Sequence, residues 1–315
     1  MQRLFLLFVI ALVGACARVP VTPVGVPGLP DKVELTQVPF FPQEDYQCGP
    51  AALATMLTQR GIDISPEQLV DRVYLPGRKG SLQVEMVAAA RAHDLLVYPL
   101  EPKLESILSE VAAGNPVLVL QNLAFDRWPQ WHFAVVVGYD LAAQTLVLRS
   151  GTTRRWIGTF RQFERSWAKG DRWAVVTVQP ANLPNTAKET IWLKAASDLE
   201  QTSRQNAAQQ AYEAAAKRWN SGLTWFALAN ANYARGNRQA AEDALRNSVE
   251  LDNQFAAGWY NLSQVLAEQG CSTQAKAARA CAINLAPEDD RFGAELSVEQ
   301  NPDKVCRTLP ACPTR

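Results

Sequence analysis

A 34-residue period in the second half of the chain constrains the fold more than any other feature of the sequence. Five residues recur at this spacing: Trp225 as Trp259, Leu228 as Leu262, Gly236 as Gly270, Ala241 as Ala275 and Leu251 as Leu285. A period of roughly 20–50 residues is typical of supersecondary units that stack on their neighbours. The pattern predicts three helix pairs, at about 188–221, 222–255 and 256–289, of which the first is degenerate and matches with one residue of slippage.

The repeated residues have identifiable roles in a helix pair. Gly236 and Gly270 permit the positive φ that ends a helix, and Ala241 and Ala275 are small enough for two helices to approach closely. The Trp-x-x-Leu start, the Gly at the turn, the Ala in the next helix and Pro287 at the end resemble the tetratricopeptide repeat family. The resemblance implies an all-α domain that binds a protein substrate or partner.

The first residues have the features of an export signal. A basic n-region precedes the apolar run LFLLFVIALVGA, which is shorter than the roughly 20 residues that span a bilayer. The run Val-Gly-Ala-Cys ending at Cys16 resembles a bacterial lipobox. The resemblance implies that residues 1–15 are a signal peptide, that Cys16 is lipidated and that residues 16–32 are a flexible tether. Because Ala17 follows the cysteine, it also implies an outer-membrane lipoprotein facing the periplasm. An ordinary secretory signal with an incidental cysteine is the alternative.

Composition supports two globular domains and argues against a nucleic-acid-binding protein. The 315 residues exceed the usual size of one domain, and 48% of them are hydrophobic. The 31 basic and 31 acidic residues cancel to a net charge of zero, whereas nucleic-acid-binding domains are usually basic. The sequence contains no cluster of metal-ligand residues and no glycine-rich phosphate loop. We therefore predict no cofactor, no metal and no nucleic-acid partner.

Four of the six cysteines lie near the C-terminal end: Cys271, Cys281, Cys306 and Cys312. An even number of clustered cysteines in an exported protein predicts disulfides. A zinc site is the less favoured alternative, because the spacing is irregular and no histidine lies nearby. We predict that a tail, residues 290–315, is joined to the last helix pair by two disulfides, and the pairing stays open.

Cys48 and His132 are a candidate nucleophile and base. Cys48 precedes Gly49-Pro50 at the start of an apolar helix, where the helix dipole is expected to lower the pKa of the thiol. His132 begins the apolar run HFAVVVGYD, whereas His93, the other histidine, falls near the end of a predicted helix. A cysteine at a helix start and a distant histidine at a strand start are typical of papain-like catalysis. The alternative is an inert buried cysteine and an ordinary strand-edge histidine.

The residues around this pair alternate between helical and strand patterns. Helices are predicted at residues 48–60, at SPEQLVDRVY with Ser65 and Gln68 as a capping box, and at LQVEMVAAARAHD and KLESILSEVAAG. Four apolar runs separated by turn residues predict antiparallel strands: PVLVLQNL, HFAVVVGYD, TLVLRSG and RWAVVTVQP. The sequence therefore predicts an α+β domain over residues 33–180, with helices packed on an antiparallel sheet.

The stretch from about Val33 to Val178 resembles the bacteriocin-processing cysteine peptidase family, whose members cut leader peptides after a double glycine. The matching residues are Gln43, Cys48-Gly49-Pro50-Ala51-Ala52, His132-Phe133, Val135 and Val137. The resemblance implies a papain-like fold in which Cys48 attacks, His132 is the general base, and Gln43 with the Cys48 backbone N–H stabilises the oxyanion. Gln47 is the competing oxyanion residue.

The third catalytic residue departs from that family. Ser150 occupies the place of the family's aspartate, and Asp140 is the alternative as the nearest downstream carboxylate. We expect Ser150 to accept a hydrogen bond from His132 Nδ1–H, with weaker orientation than a carboxylate gives. The resemblance implies a cysteine peptidase of weakened activity on a peptide or protein substrate that the repeats recruit. The alternative is a non-catalytic, peptidase-like scaffold lipoprotein that binds a protein partner.

Overall fold

The computed structural model describes residues 28–43, 47–294, 296–297 and 305–313. Within these residues the chain forms a seven-stranded sheet with helices on both faces, followed by a region made of helices alone. The predicted fold class, an α+β domain followed by an all-α region, is confirmed. No helix in this part of the chain is long and apolar enough to cross a membrane. Cys16 and the predicted signal peptide lie outside the described residues.

The strand pairings of the sheet are all antiparallel. The strands are β1 (Lys32–Glu34), β2 (Leu96–Pro99), β3 (Val117–Asn122), β4 (Trp131–Asp140), β5 (Thr145–Ser150), β6 (Thr153–Thr159) and β7 (Ala174–Val178). Their order is β2-β7-β3-β4-β5-β6, and β1 also pairs with β4. The first half of β4 pairs with β3 and its far end pairs with β1. This long strand therefore connects the start of the described chain to the middle of the sheet.

Helices cover both faces of the sheet. Three lie on one face: α1 (Cys48–Thr58), α2 (Pro66–Val73) and α3 (Gln83–Arg91). Two lie on the other: α4 (Leu104–Ala112) and α5 (Phe160–Ala168). In β4, Phe133, Val135 and Val137 pack on the α1 side, whereas Ala134 and Val136 pack on the opposite side. Because neither face meets solvent there, the central strands appear in the sequence as continuous apolar runs.

The four predicted strands correspond to β3, β4, β5 and β7. The capping box at Ser65 is also present, with Gln68 Oε1 accepting from the Ser65 backbone N–H at 2.8 Å. The sequence patterns do not indicate β1, β2, β6 or α5. Only Gly158 is buried among the seven residues of β6, so this edge strand has no apolar run.

The helical region contains three consecutive pairs. They are α6 (Glu189–Gln201) with α7 (Gln205–Trp219), α8 (Gly222–Ala234) with α9 (Arg238–Leu251), and α10 (Ala256–Glu268) with α11 (Ser272–Leu285). The second and third pairs repeat at the predicted spacing, because their helices begin at 222 and 256 and at 238 and 272. Gly236 and Gly270 have φ values of 77° and 85°. Ala241 and Ala275 are fully buried between helices.

The sheet and the helical region share one continuous apolar core. Trp192 of α6 is fully buried, and its ring lies 6.4 Å from that of Tyr98 in β2. Arg91 of α3 forms an ion pair with Asp198 of α6 at 2.6 Å. These contacts place the first helix pair against the β2 edge of the sheet. The predicted domain limits, 33–180 and 188–289, stay predictions.

Two disulfides join the described part of the tail, residues 305–313, to the last helix pair. Cys271, the residue that precedes α11, is bonded to Cys306, and Cys281 within α11 is bonded to Cys312. The prediction that each cysteine of the last pair bonds to one in the tail is confirmed, and the pairing that the sequence left open is settled.

The tail also covers a buried ion pair on α9. Arg246 Nε donates to Glu242 Oε1 at 2.8 Å, and both side chains are buried. The Arg246 guanidinium also donates to the backbone oxygen of Thr308 at 2.7 Å, and Arg307 lies 3.0 Å from Glu242. Because a buried charge without partners is costly, the tail is part of the packing of the helical region.

Candidate active site

The start of α1 places Cys48 where a thiol can meet the sheet. α1 packs on β4, and ten of its eleven residues, beginning with Cys48, are buried. A Cβ at Gly49 would lie 2.1 Å from the Ser81 hydroxyl oxygen, so only glycine fits between α1 and the segment before α3. Pro50 needs no hydrogen-bond donor in this first turn. Cys48 therefore lies at the start of a helix that packs closely against that segment.

His132 lies near the start of β4 and shares a cavity with Cys48. It is 7% exposed and opposite Gln121 in the β3–β4 register. A cavity of about 840 Å³, which we call the Cys48 cavity, is lined by Cys48 and His132 and also by Gln43, Ser81 and Trp131. The fold therefore brings together the thiol, the imidazole and the glutamine that the sequence indicates.

Ser150 contacts the imidazole from the neighbouring strand. β5 ends at Ser150, where its pairing with β6 is irregular and Gly151 turns the chain with a φ of 60°. Ser150 Oγ lies 2.8 Å from His132 Nε2. The expected contact through Nδ1 is therefore wrong. The use of Nε2 leaves Nδ1 as the ring nitrogen available for the thiol proton.

Asp140 does not take part in this site, so the alternative third residue is wrong. It lies eight residues after His132 at the opposite end of β4, roughly 25 Å away at the usual rise of a strand. Its carboxylate pairs with Lys32 at 3.1 Å and accepts from the Ala143 backbone N–H at 2.9 Å. These contacts, together with the turn that follows β4, explain the position of Asp140.

Burial determines the charge state of both candidate catalytic groups. It raises the pKa of the Cys48 thiol, an effect that the backbone N–H groups of Phe133, Gly49 and Cys48 offset in part. Burial also lowers the pKa of His132 to about 4. The expected lowering of the thiol pKa is therefore wrong, because loss of hydration outweighs the backbone dipoles. The resting pair is a thiol and a neutral imidazole, and a neutral imidazole can accept the thiol proton.

Gln43 is better placed than Gln47 to act on a substrate oxygen. Gln43 lines the Cys48 cavity, and its backbone N–H donates to the Gly151 oxygen at 3.3 Å. This bond ties the segment before α1 to the turn after Ser150. Gln47 is the N-cap residue of α1 and is not part of the cavity lining.

Two further residues shape the site and were not predicted from the sequence. Asn122 Oδ1 accepts from the backbone N–H groups of Ala124 and Gln130, each at 3.0 Å, and so holds the loop that leads into β4. Arg149 is buried and donates to the backbone oxygen of Val38 at 3.2 Å, which fixes the segment that continues to Gln43. The Arg149 bond joins segments 111 residues apart, so no local pattern reveals it. The Asn122 bonds lie within the loop, where an asparagine that caps a turn is the available signal.

Part of the chain is similar to known proteins. Residues 35–174 match the sequence profile of the Peptidase_C39 like family. No curated protein matches the chain. Solved structures that match include a protein described as a C39-like peptidase from Bacillus anthracis, at 19% identity over 47% of this chain and 98% of that chain, with a TM-score of 0.40.

Two further structures come from transporters. One is a double glycine motif protease from an AMS/PCAT transporter in complex with the leader peptide, at 21% identity over 45% of this chain and 91% of that chain, with a TM-score of 0.33. The other is the peptidase domain of Streptococcus ComA, a bifunctional ABC transporter of a quorum-sensing pathway, at 17% identity over 45% and 98%, with a TM-score of 0.36. The region that contains Cys48, His132 and Ser150 is thus similar in sequence to the Peptidase_C39 like family.

Proposed function

We propose that this chain is a lipid-anchored cysteine peptidase whose helical region recruits a protein substrate or partner. One observation carries the proposal: α1 and β4 bring Cys48 and His132, which are distant in sequence, to the same cavity. The match of residues 35–174 to the Peptidase_C39 like family supports the reaction class.

In the proposed reaction, His132 Nδ1 takes the thiol proton while Cys48 Sγ attacks the substrate carbonyl carbon. The oxyanion accepts hydrogen bonds from the Cys48 backbone N–H and the Gln43 side-chain amide. The imidazolium gives its proton to the leaving amine, and the C–N bond breaks. Water then attacks the thioester with His132 as base, which releases the acid product and restores the thiol.

The neutral resting pair has a consequence for this reaction. Because burial lowers the pKa of His132 to about 4, the imidazole stays unprotonated at neutral and mildly acidic pH. The thiolate forms as the substrate is attacked and does not persist beforehand, since burial raises the pKa of the thiol. Cys48 is in this respect protected against oxidation between turnovers.

The surroundings of the Cys48 cavity support a peptide substrate with apolar side chains. Pro129 and Trp131 line the cavity. Phe125 and Trp128, in the same loop, are 75% and 71% exposed. An exposed aromatic surface beside a nucleophile is typical of a binding site for an extended chain. The double-glycine specificity of the resembling family is not part of this proposal.

The proposal includes an anchor at Cys16 and a position on the outer membrane, facing the periplasm. The disulfides at Cys271 and Cys281 support an oxidising compartment. We further propose that the three helix pairs are tetratricopeptide repeats that hold a protein partner. A cavity of about 260 Å³ between α8 and α10, lined in part by Tyr233 and Tyr260, supports this role.

The second candidate function is a non-catalytic scaffold that binds a protein partner. It is favoured by the contact of His132 with a serine. A hydroxyl group orients an imidazole, and stabilises its protonated form, less well than a carboxylate does. Under this proposal Cys48 is no more reactive than any buried thiol.

The rate of alkylation of Cys48 separates the two functions. Intact protein is treated with iodoacetamide at pH 7, and modification of the Cys48 peptide is followed by mass spectrometry. A catalytic pair predicts that His132→Ala slows alkylation at least tenfold, whereas the matched control His93→Ala does not. Equal alkylation rates in the wild-type protein and both variants would contradict the peptidase proposal and favour the non-catalytic scaffold.

Cleavage itself is tested with a library of peptides from the periplasm. The wild-type protein and Cys48→Ala are incubated with the same library, and new peptide ends are identified by mass spectrometry. We expect new ends with the wild-type protein alone. Identical products from the two proteins would contradict the proposal.

A further inference from the structure

The hydrogen bond between Ser150 and His132 raises the question of which group accepts the Ser150 hydroxyl proton. A serine hydroxyl donates one hydrogen bond and has two acceptor lone pairs. For His132 Nδ1 to take the thiol proton, Nε2 must carry the ring hydrogen and donate it to Ser150 Oγ, 2.8 Å away. The Ser150 proton then needs another acceptor, and no group in the described parts of the chain forms such a bond.

The opposite tautomer of His132 satisfies the same contact. If Ser150 donates to Nε2, the ring hydrogen resides on Nδ1, and Nδ1 cannot accept the proton of Cys48. A serine at this place therefore permits both tautomers. An aspartate only accepts, and so it selects the reactive tautomer. An acceptor for the Ser150 proton would restore that selection.

Ser150 also lines a second cavity, of about 290 Å³, which we call the Ser150 cavity. Its lining includes the amides of Gln121 and Gln162 and the cations of Arg165 and Lys169, and none of the lining residues in the described part of the chain is acidic. Lys169 Nζ donates to the Ala124 backbone oxygen at 2.6 Å. Among the described residues, the carboxylate that pairs with this cation is that of Asp126, which lies 3.8 Å from Lys169 Nζ and is 82% exposed. The Ser150 cavity is therefore positively charged beside an uncommitted hydroxyl proton.

We propose that the Ser150 cavity binds a carboxylate, which accepts the Ser150 hydroxyl proton and pairs with Arg165 and Lys169. The bound carboxylate selects the His132 tautomer with hydrogen on Nε2 and thereby makes Nδ1 the base for Cys48. The proposal rests on the proposed peptidase function. The cavity has the volume of on the order of ten water molecules. It has room for a small free carboxylate or for an acidic side chain of a bound peptide.

The tautomer of His132 can be measured without any substrate. The chain has only two histidines, so the imidazole ¹⁵N signals of histidine-labelled protein are assigned with His93→Gln. Sodium formate is added up to 100 mM at pH 7, with ionic strength kept constant by sodium chloride. We expect the His132 signals to move to the tautomer protonated at Nε2, with half-saturation in the millimolar range.

Three variants test the role of the cavity. Arg165→Gln should weaken the formate effect at least fivefold, whereas Arg161→Gln removes the same charge from the same helix outside the lining and should not. Ser150→Asp carries its own carboxylate and should show the Nε2-protonated tautomer without formate. Acetyl-glutamate amide in place of formate, with acetyl-glutamine amide as control, tests for a carboxylate carried by a side chain.

The rate of Cys48 alkylation tests whether a carboxylate in the Ser150 cavity makes the thiol more reactive. Formate should raise this rate at least threefold in the wild-type protein and leave it unchanged in His132→Ala. If saturating formate gives the same His132 signals as sodium chloride, the carboxylate site is excluded, and the peptidase proposal stands as long as alkylation depends on His132. If formate moves the His132 signals but alkylation does not depend on His132, the site stands and the peptidase proposal fails.

Discussion

The α+β region is built from contacts between distant parts of the sequence, whereas the helical region is built from contacts between neighbouring helices. In the sheet, β1 pairs with β4 across more than 100 residues of sequence, and the site gathers Gln43, Cys48, His132 and Ser150 from three separate segments. In the helical region, each helix packs mainly on its neighbour in sequence. Long-range pairing fixes a few side chains relative to one another, which chemistry requires. Local stacking builds a surface, and its stability is distributed over many contacts.

The largest expected effect should be confined to the first of these regions. His132→Ala should lower peptide hydrolysis about 10²–10⁴-fold, because it removes the proposed general base. The helix content of the folded protein should not change, which is measured by circular dichroism at 222 nm. His93→Ala is the matched control and should retain activity. A similar loss of activity in both variants would show that the histidines act through folding and not through catalysis.

The second prediction concerns a change in the helical region that should lower stability but not the reactivity of Cys48. Cys281→Ser with Cys312→Ser removes one of the two disulfides of the tail and should lower the free energy of unfolding by about 2–4 kcal/mol. Denaturant titration measures the change. The alkylation rate of Cys48 should stay within a factor of two, because the described part of the tail is bonded to the last helix pair and to α9, away from the Cys48 cavity. A large fall in Cys48 reactivity would show that the two regions do not act separately.

The third prediction concerns pH. Burial lowers the pKa of His132 from 6.5 to about 4. Between these values the unfolded chain binds a proton that the native chain does not bind, so stability falls as pH falls through this window. The loss by pH 5, relative to pH 8, should be about 2 kcal/mol from His132 alone.

His132→Gln provides the comparison for this effect, since it cannot titrate. The difference in unfolding free energy between pH 8 and pH 5 should be smaller in His132→Gln than in the wild-type protein by that amount. His93 is present in both proteins, and its own lowered pKa cancels in the comparison. An equal pH dependence in the two proteins would mean that His132 is hydrated in solution.

The smallest expected effect is that of Ser150→Ala. The substitution removes the partner of His132 Nε2 but leaves the nucleophile, the base and Gln43 in place. We expect activity to fall about tenfold, which corresponds to roughly 1.4 kcal/mol and to the loss of one hydrogen bond. A loss as large as that of His132→Ala would indicate that Ser150 does more than orient the ring.

The two regions also differ in how far their structure follows from the sequence. The turns at Gly236 and Gly270 and the capping box at Ser65 are local features, and the structure places them as predicted. Six of the seven residues of the edge strand β6 are exposed, so burial does not require an alternating apolar pattern there. The strand β1 consists of three residues and depends on its pairing with β4.

Helix α5 was not predicted, although its sequence contains a helical pattern. Phe160, Phe163 and Trp167 of α5 are spaced by three and four residues, and all three are buried. This spacing is typical of an amphipathic helix.

For the candidate site, the sequence indicates residues that line the Cys48 cavity but not their electrostatics. Cys48 and His132 stand out through residue type and position in their elements. The direction of the thiol pKa could not be predicted, because it depends on how completely α1, β4 and the intervening segments exclude water. The choice of Nε2 for Ser150 depends on the register of β4 and β5 and on the irregular end of β5.

The antiparallel pairing of β1 with β4 has a consequence for where a lipid anchor would attach. Lys32 lies opposite Asp140, so the chain enters the sheet at the end of β4 that is roughly 25 Å from His132. The lipid proposed at Cys16 would therefore be joined, through the predicted flexible tether, to the end of β4 opposite the Cys48 cavity, and its attachment point would lie away from the cavity that contains the candidate nucleophile.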